Sequence, residues 1–363
     1  MEKKVIGVKK TEKKFDFGGN FMQTVTFENN KQVLEYAALN ADQILVLFST
    51  YVEIEMIDVK LPENVIVASS FAQTYASARK ERGFTGFVID KNECEIVPIA
   101  DLPILSRYDL KKAYDKVKDN PNAFMYLIAD GLSGQEDMIL TSLYFMRPDF
   151  KMIGGSAGDM EHDETLIYYG SHRVKHLCIF VDCKKRTKLV KENIYVPTGK
   201  KMLVTNADPI KRCVYTFNNR PADEEYARIL GIPLYDLHDA FISHPLGQKI
   251  DGELFINSPQ KINHDHSITF YSEIIPNQFI DVLGLGDMKQ IMAETREKMG
   301  MKPSTLLSIN CVLRDLYFKK HGKWREVFAS LDDLNEKEAG YVSAGEQYNF
   351  DHCNQTMVLL GIE

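Results

Sequence analysis

The chain of 363 residues has no apolar run approaching the ~18 uninterrupted residues of a membrane-spanning helix. It has no C-x-x-C pair. Its cysteines, Cys94, Cys178, Cys183, Cys213, Cys311 and Cys353, are scattered, which excludes a small disulfide framework and reads as reduced thiols. H-E-x-x-H and other zinc spacings are missing. His172 and His176 share a strand-like face, and His264-Asp265-His266 sits in a polar turn, so no structural or catalytic zinc is expected. There is no excess of positive charge: 44 Lys and Arg stand against 51 Asp and Glu, a net charge of -7 that argues against a nucleic-acid surface. The lysines at 3, 4, 9 and 10 read as a solvated terminus, and Lys184, Lys185 and Arg186 as a hairpin turn. Met1 to Gly7 lacks the apolar core of a secretory signal. These absences indicate a cytoplasmic protein with no membrane span.

What is present is ordinary globular material, 44% hydrophobic and 26% charged, in a chain long for one core. Two domains are expected, 1–215 and 216–363, each a mixed β-sheet with packed helices, in the α/β to α+β class. Strand signals cover 21–27, 43–48, 64–68, 84–89, 94–97 and 123–129, with helix signals at 32–39 and 135–145. From 165 to 204, strand-like runs follow one another across short polar turns, which predicts an antiparallel meander. Pro221, followed by Asp223, Glu224 and Glu225, opens a helix. Further strands are expected at 252–256, 267–274, 278–283, 305–309 and 357–360, and helices at 288–299 and 324–331. No repeat of 20–50 residues is evident.

Gly154-Gly155-Ser156-Ala157-Gly158 satisfies G-x-S-x-G, the serine-hydrolase elbow. An elbow needs a helix after the serine, and Glu164 to Tyr169 has strand composition instead. A glycine turn whose amides face a ligand is the preferred reading, with Gly155, Ser156 and Asp159 as candidates. Asp130-Gly131-Leu132-Ser133-Gly134 follows a buried-looking strand at its C-terminal end, where open α/β sheets bind ligands. Asp130 and Ser133 are therefore candidates too, beside the plainer reading of a capped turn. Cys311, His352 and Asn354 have the residue types of a thiol hydrolase, although Cys311 follows an apolar strand and reads as buried. Arg314, a charge beside a core strand, needs an anionic ligand or a carboxylate, for which Glu346 is the candidate. His244, in the apolar-flanked Phe241 to Gly247 turn, is the candidate ligand should haem iron be bound.

These segments, in order, resemble the FIST family. The N-terminal module is suggested by Asp130 to Gly134, Ile153 to Asp159, Met202 to Asp208, Asn218 to Ala222, and Tyr226. The C-terminal module is suggested by His244 to Gly247, Ser267 to Ile274, Ile309 to Arg314, Ala344-Gly345-Glu346-Gln347-Tyr348-Asn349 and Asn354-Gln355-Thr356-Met357. The resemblance implies a sensory module for a small ligand, such as an amino acid or, through haem, nitric oxide. It implies coupling to a histidine kinase, a cyclic-di-nucleotide enzyme or a chemoreceptor. Gly345, Glu346 and Asn354 join the candidate ligand contacts on this basis. A hydrolase using Ser156 or Cys311 is the alternative. Two positions depart from the family. Ser69-Ser70-Phe71-Ala72-Gln73 replaces a Ser-Thr-Ala-Gly-Glu-like turn and loses its glycine and acid; Asn219 replaces a common glycine, harmlessly, since Asn tolerates left-handed backbone.

Overall fold

The computed structural model describes residues 22–57, 60–250, 252–335 and 337–363; Phe21 and the first lysine cluster lie outside the described residues. Local chemistry sets most element ends. Asn29 caps the first helix by accepting the Gln32 amide, and Asp287 caps the helix at 288–299 through Lys289 and Gln290. Three helices stop at glycines in left-handed backbone, Gly231, Gly300 and Gly322.

Three times the chain lays down strand, helix, strand, helix, strand, hairpin and strand. The first unit is β1 (Met22–Phe27), α1 (Asn30–Leu39), β2 (Gln43–Ser49), α2 (Tyr51–Glu55), β3 (Val65–Ser69), the hairpin β4 (Ala72–Tyr75) and β5 (Ala78–Lys80), and β6 (Phe84–Asp90). The second is β7 (Cys94–Ile99), α3 (Arg107–Val117), β8 (Phe124–Asp130), α4 (Glu136–Ser142), β9 (Lys151–Ala157), the hairpin β10 (Ile167–Tyr169) and β11 (His172–Arg173), and β12 (His176–Val181). The third opens with β13 (Thr187–Asn193) and is then interrupted by a lobe over 195–285. The lobe holds β14 (Tyr195–Asp208), β15 (Cys213–Phe217), β16 (Arg220–Pro221), α5 (Ala222–Leu230), α6 (Leu237–Ala240), β17 (Leu246–Ile250), β18 (Glu253–Asn257), β19 (Pro259–Ile262), β20 (Ile268–Phe270) and β21 (Phe279–Leu285). The third unit resumes with α7 (Met288–Met299), β22 (Thr305–Cys311), α8 (Val312–His321), α9 (Trp324–Leu334), β23 (Ala339–Ser343), the hairpin β24 (Glu346–Tyr348) and β25 (Asp351–Cys353), and β26 (Thr356–Ile362).

Each unit builds a six-stranded sheet around one parallel pair, β2 with β3, β8 with β9, and β22 with β23. The hairpins are exchanged: β4–β5 extends the third unit's sheet beside β23, β10–β11 the first unit's beside β3, and β24–β25 the second unit's beside β9. The inner faces of all three sheets pack into one core, including Val46, Phe87, Tyr126, Ile179, Ile309 and Val358. The outer faces carry the helices, over separate apolar clusters. The lobe has its own eight-stranded sheet and core around Phe217, Tyr226 and Phe241.

The class is the expected one: two domains of mixed β-sheet with packed helices. How they are joined was not expected, because strands from each half of the chain complete sheets of the other. The meander predicted from 165 to 204 does not form. β12, β13 and β14 enter three different sheets, because each run finds its partners far away in sequence. The strand expected at 267–274 shortens to Ile268–Phe270, and the strand expected at 305–309 extends to Cys311, with α8 starting at the next residue. The repeat is one of topology and is longer than the 20–50 residues of familiar solenoid periods.

Candidate functional site

Two parallel pairs end at Ser49 beside Ser69 and at Cys311 beside Ser343, and the third places Ala129 beside Ser156 one residue before its end at Asp130 and Ala157. Ser69, Ser156 and Ser343 are thus equivalent, and all three are fully buried. After each serine the chain leaves its sheet: Ser69-Ser70-Phe71-Ala72, Ser156-Ala157-Gly158-Asp159, Ser343-Ala344-Gly345-Glu346. These three turns meet. The Gly158 amide donates to the Ser69 carbonyl at 3.3 Å, the Phe71 amide to Val342 at 3.2 Å, the Ser156 amide to Gly345 at 2.9 Å, and the Ala344 amide to Ser156 at 2.9 Å. One point therefore gathers the C-terminal ends of three parallel strand pairs, the position at which α/β sheets present ligand sites.

Two glycines there are required by closeness, not by backbone angle. A Cβ on Gly155 would collide with the Tyr341 hydroxyl, and one on Gly345 would lie 2.6 Å from Cε1 of His352. In the first unit, which lacks this glycine, the Phe71 ring fills the space over Gly158.

Around the meeting point lies a set of fully buried polar side chains. Ser156 Oγ donates to Glu136 Oε1 at 3.1 Å and accepts from Gln347 Nε2 at 3.1 Å. Glu346 is held by the hydroxyls of Ser343 at 2.6 Å and Thr356 at 2.8 Å. Burial pushes its carboxyl up to about 8 against these hydrogen bonds and the more distant Arg314 charge, so it is largely protonated at neutral pH. Several buried atoms have no partner: Glu136 Oε2, Gln347 Oε1, Asn354 Nδ2, Gln355 Oε1 and Asn310 Oδ1. Buried polar atoms are rarely left so unless a ligand or water completes them.

Arg314 is fully buried, but its partner is not Glu346. It forms an ion pair with Glu192, and its guanidinium lies 4.9 Å over the Phe318 ring. The pairing of β13 with β26 brings Glu192 to this point, a contact 122 residues apart in sequence. Nε and Nη1 of Arg314 and Oε2 of Glu192 remain free.

The side chains of the other predicted residues make no hydrogen bond to this cluster. Asp130 accepts the Leu132 amide at 3.0 Å and the Thr165 hydroxyl at 2.9 Å, and Ser133 Oγ donates to the Asp130 carbonyl at 2.7 Å. Both border a cavity of about 740 Å³ together with Glu164, Arg173 and Lys175. Behind them, His176 Nδ1 accepts the Asp130 amide at 3.0 Å, so Nε2 carries the proton and donates to Gln135 at 3.0 Å. Burial lowers His176 to about 4, which keeps it neutral and structural. Asp159 Oδ1 caps the Glu161 and His162 amides and holds His162 Nδ1 at 2.6 Å, at the edge of a cavity of about 640 Å³. His244 sits in the inserted lobe with Nδ1 on Ser243 at 2.9 Å and its carbonyl accepting the Tyr226 hydroxyl. It borders none of these cavities. Among the described residues, no group of three or more His, Cys, Asp and Glu is placed to hold a metal ion.

The hydrolase geometry is not assembled. Ser156 lies inside β9 with coil after it, away from solvent. Cys311 is buried, with the amides of Gln355, Leu313 and Arg314 directed at its sulfur, and burial pushes its thiol well up. His352 Nδ1 instead faces the Gln347 amide at 3.4 Å.

One feature was not legible in the sequence. A groove of about 730 Å³ runs between α4, the hairpin β24–β25 and the lobe, bordered by Asp137, Leu140, Thr141, Tyr144, Met146, Pro148, Ser272, Glu273, Phe350 and His352. Its residues come from three separate stretches, and no local signal links them. His352 lines it, and Nε2 of Gln347 lies 3.4 Å from His352 Nδ1 while donating to Ser156 Oγ at 3.1 Å.

Sequence comparison now places the molecule. The FIST N domain matches residues 24–220 and the FIST C domain matches 222–349. The chain belongs to the FIST family, whose domains are associated with small-ligand sensing in signal transduction. No curated protein matches it. No helix among the described residues is long and apolar enough to cross a membrane.

Proposed function

We propose that this protein is a cytoplasmic sensor whose small ligand seats where the three strand-end turns meet. Gly155, Ser156, Gly345, Glu346, Asn354 and Arg314 form or support the seat, and Asp130, Ser133 and Asp159 line outlying cavities. The observation that carries this reading is the set of buried polar atoms without partners at one topological focus. These atoms suit a hydrogen-bonding ligand, such as an amino acid, better than haem. For haem, His244 is the candidate iron ligand, and a Soret band lost on His244→Ala is the test. Hydrolysis through Ser156 or Cys311 is the alternative, and it is disfavoured by their burial. Signal output would follow a population shift: the groove touches α4, the exchanged hairpin and the lobe, so an occupant favours one arrangement of the three. A histidine kinase, cyclic-di-nucleotide enzyme or chemoreceptor would read that shift.

The test is thermal-shift screening with small polar metabolites, repeated on Asn354→Leu and Gln347→Leu. A ligand that raises Tm in the parent and not in these variants supports the seat. Equal shifts in all three proteins would move the site elsewhere.

A further inference from the structure

The first strand of each unit, β1, β7 and β13, lies at the edge of its six-stranded sheet. An edge leaves every second residue with an N–H and a C=O that no neighbouring strand takes up, and proteins blunt or cover such edges. β7 is blunted by Pro98. The Asp182 amide donates to the Glu93 carbonyl at 2.9 Å, which in the β7–β12 register turns odd-numbered residues of β7 towards β12 and even-numbered ones outward. The N–H that Pro98 lacks is therefore on the open side. β1 is covered by the third unit: its Met22 carbonyl accepts the Thr305 hydroxyl at 2.6 Å, and its Thr24 hydroxyl donates to the Lys337 carbonyl at 2.8 Å.

β13 has neither device. The Glu363 amide donates to the Arg186 carbonyl at 3.0 Å, which in the β13–β26 register gives the even-numbered residues of β13 to β26. The N–H and C=O of Leu189 and Lys191 face the other way, and among the described residues no hydrogen bond reaches them. A cavity of about 630 Å³ borders the strand from Lys188 to Asn193, a length of about 20 Å. It is lined also by α7 and by the lobe hairpin β17–β18.

The charges around this edge are unevenly paired. Lys191 is held by Glu253 at 2.7 Å, and Glu192 is taken by Arg314. The cavity's remaining acid, Glu294, accepts from Gln290 at 2.9 Å. Lys188, Lys249 and Lys298 also line the cavity; they are exposed and have no ion pair among the described residues. The edge is thus ringed by free positive charge in a chain whose net charge is -7.

We infer that the open edge of β13 is a docking strip for an acidic, extended segment of a partner protein, which adds to the third sheet as a further strand. Main-chain bonds to Leu189 and Lys191 hold the segment, and its acidic side chains meet Lys188, Lys249 and Lys298. Docking at this strip does not require the ligand seat.

Fluorescence anisotropy on the full chain, with a labelled hexapeptide of alternating glutamate and valine, is the test. This peptide is expected to bind and its lysine–valine counterpart not. The acidic peptide methylated at every amide nitrogen keeps its charge but cannot pair with a strand, and should bind about 10-fold more weakly or worse. Reversing the three exposed lysines together, Lys188→Glu, Lys249→Glu and Lys298→Glu, should weaken the acidic peptide by about 10-fold, the sum of three exposed ion pairs, with Tm little changed. Lys191→Pro removes an N–H that β26 does not use. Lys191→Ala loses the same contact with Glu253 but keeps the N–H, and should bind the peptide more tightly than Lys191→Pro. Amide hydrogen exchange at Leu189 and Lys191 should slow when the peptide is bound. If Lys191→Pro does not fold, the methylated peptide and the exchange measurement decide. Equal binding of the methylated or the basic peptide, unchanged affinity in the lysine-reversed variant, or no binding of the acidic peptide would overturn the inference. So would protection confined to the edge of β1 or β7.

Discussion

Glu346 and Gly155 show what single positions contribute at the focus. In the unfolded chain Glu346 ionises near 4.5, and in the fold its carboxyl stays protonated until about 8. Between those values the native state holds the extra proton, so this residue makes stability fall as pH rises. In Glu346→Gln that contribution is absent. The Tm difference between pH 5 and pH 8.5 should therefore be smaller in the variant than in the parent, and parallel Tm curves would show that the carboxyl is not shifted. Gly155→Ala forces a methyl against the Tyr341 hydroxyl and is expected to cost roughly 1–3 kcal/mol in denaturant unfolding. Tyr341→Phe in the same chain should recover part of that loss, since the hydroxyl is the nearest obstacle. Additive losses would place the strain elsewhere.

Among the elements, α8 has the most exacting position. It starts directly after β22, sets Arg314 into the interior against Glu192 of β13, and offers Asp315 to Arg79 of β5 and to the indole of Trp324 at 2.9 Å. One short helix thus ties two sequence-distant strands by buried charge. Arg314→Met leaves Glu192 as an unpaired buried carboxyl and is expected to cost about 3–5 kcal/mol. Arg314→Met with Glu192→Leu should be clearly more stable than either single variant, because neither charge is then stranded. Chemical denaturation of the three proteins checks this, and a double variant as weak as the singles would mean the pair acts through packing alone.

At the scale of the whole molecule, the exchange of hairpins binds the halves together. A fragment covering 22–220 contains β4–β5 without the β23 they pair with, β9 without β24, and β13 without β26. It also holds β14 without β21 and β15 without β20, so several strand edges would be exposed, each a site for aggregation. Expressed alone, the fragment should be insoluble or lack a cooperative unfolding transition. Co-expressed with 222–363, it should be recovered as a complex. A monomeric fragment with a sharp transition would show that the shared strands are dispensable.

The sequence by itself determined the local inventory. Buried runs such as Gln43–Ser49 and Phe124–Asp130, the capping Asp287, the helix opened after Pro221, and the turn at Gly345 follow from side-chain volume, periodicity and hydrogen-bonding chemistry within a few residues, whereas the turn expected at Gly155 is strand, because its backbone pairs with β8 on one side and β24 on the other. The order of those turns was enough to suggest the family. Only the tertiary structure decided the partners: that Arg314 meets Glu192 and not Glu346, that successive strands after Ile167 go to different sheets, that the side chains of Asp130, Asp159 and His244 make no hydrogen bond to the cluster at the focus, and that a groove opens beside α4. The physical reason is the same in each case. A strand's pattern specifies which face is buried but not which distant edge it joins, and a buried charge specifies that it needs a counter-charge but not which one. Those choices are made by packing three sheets around one core.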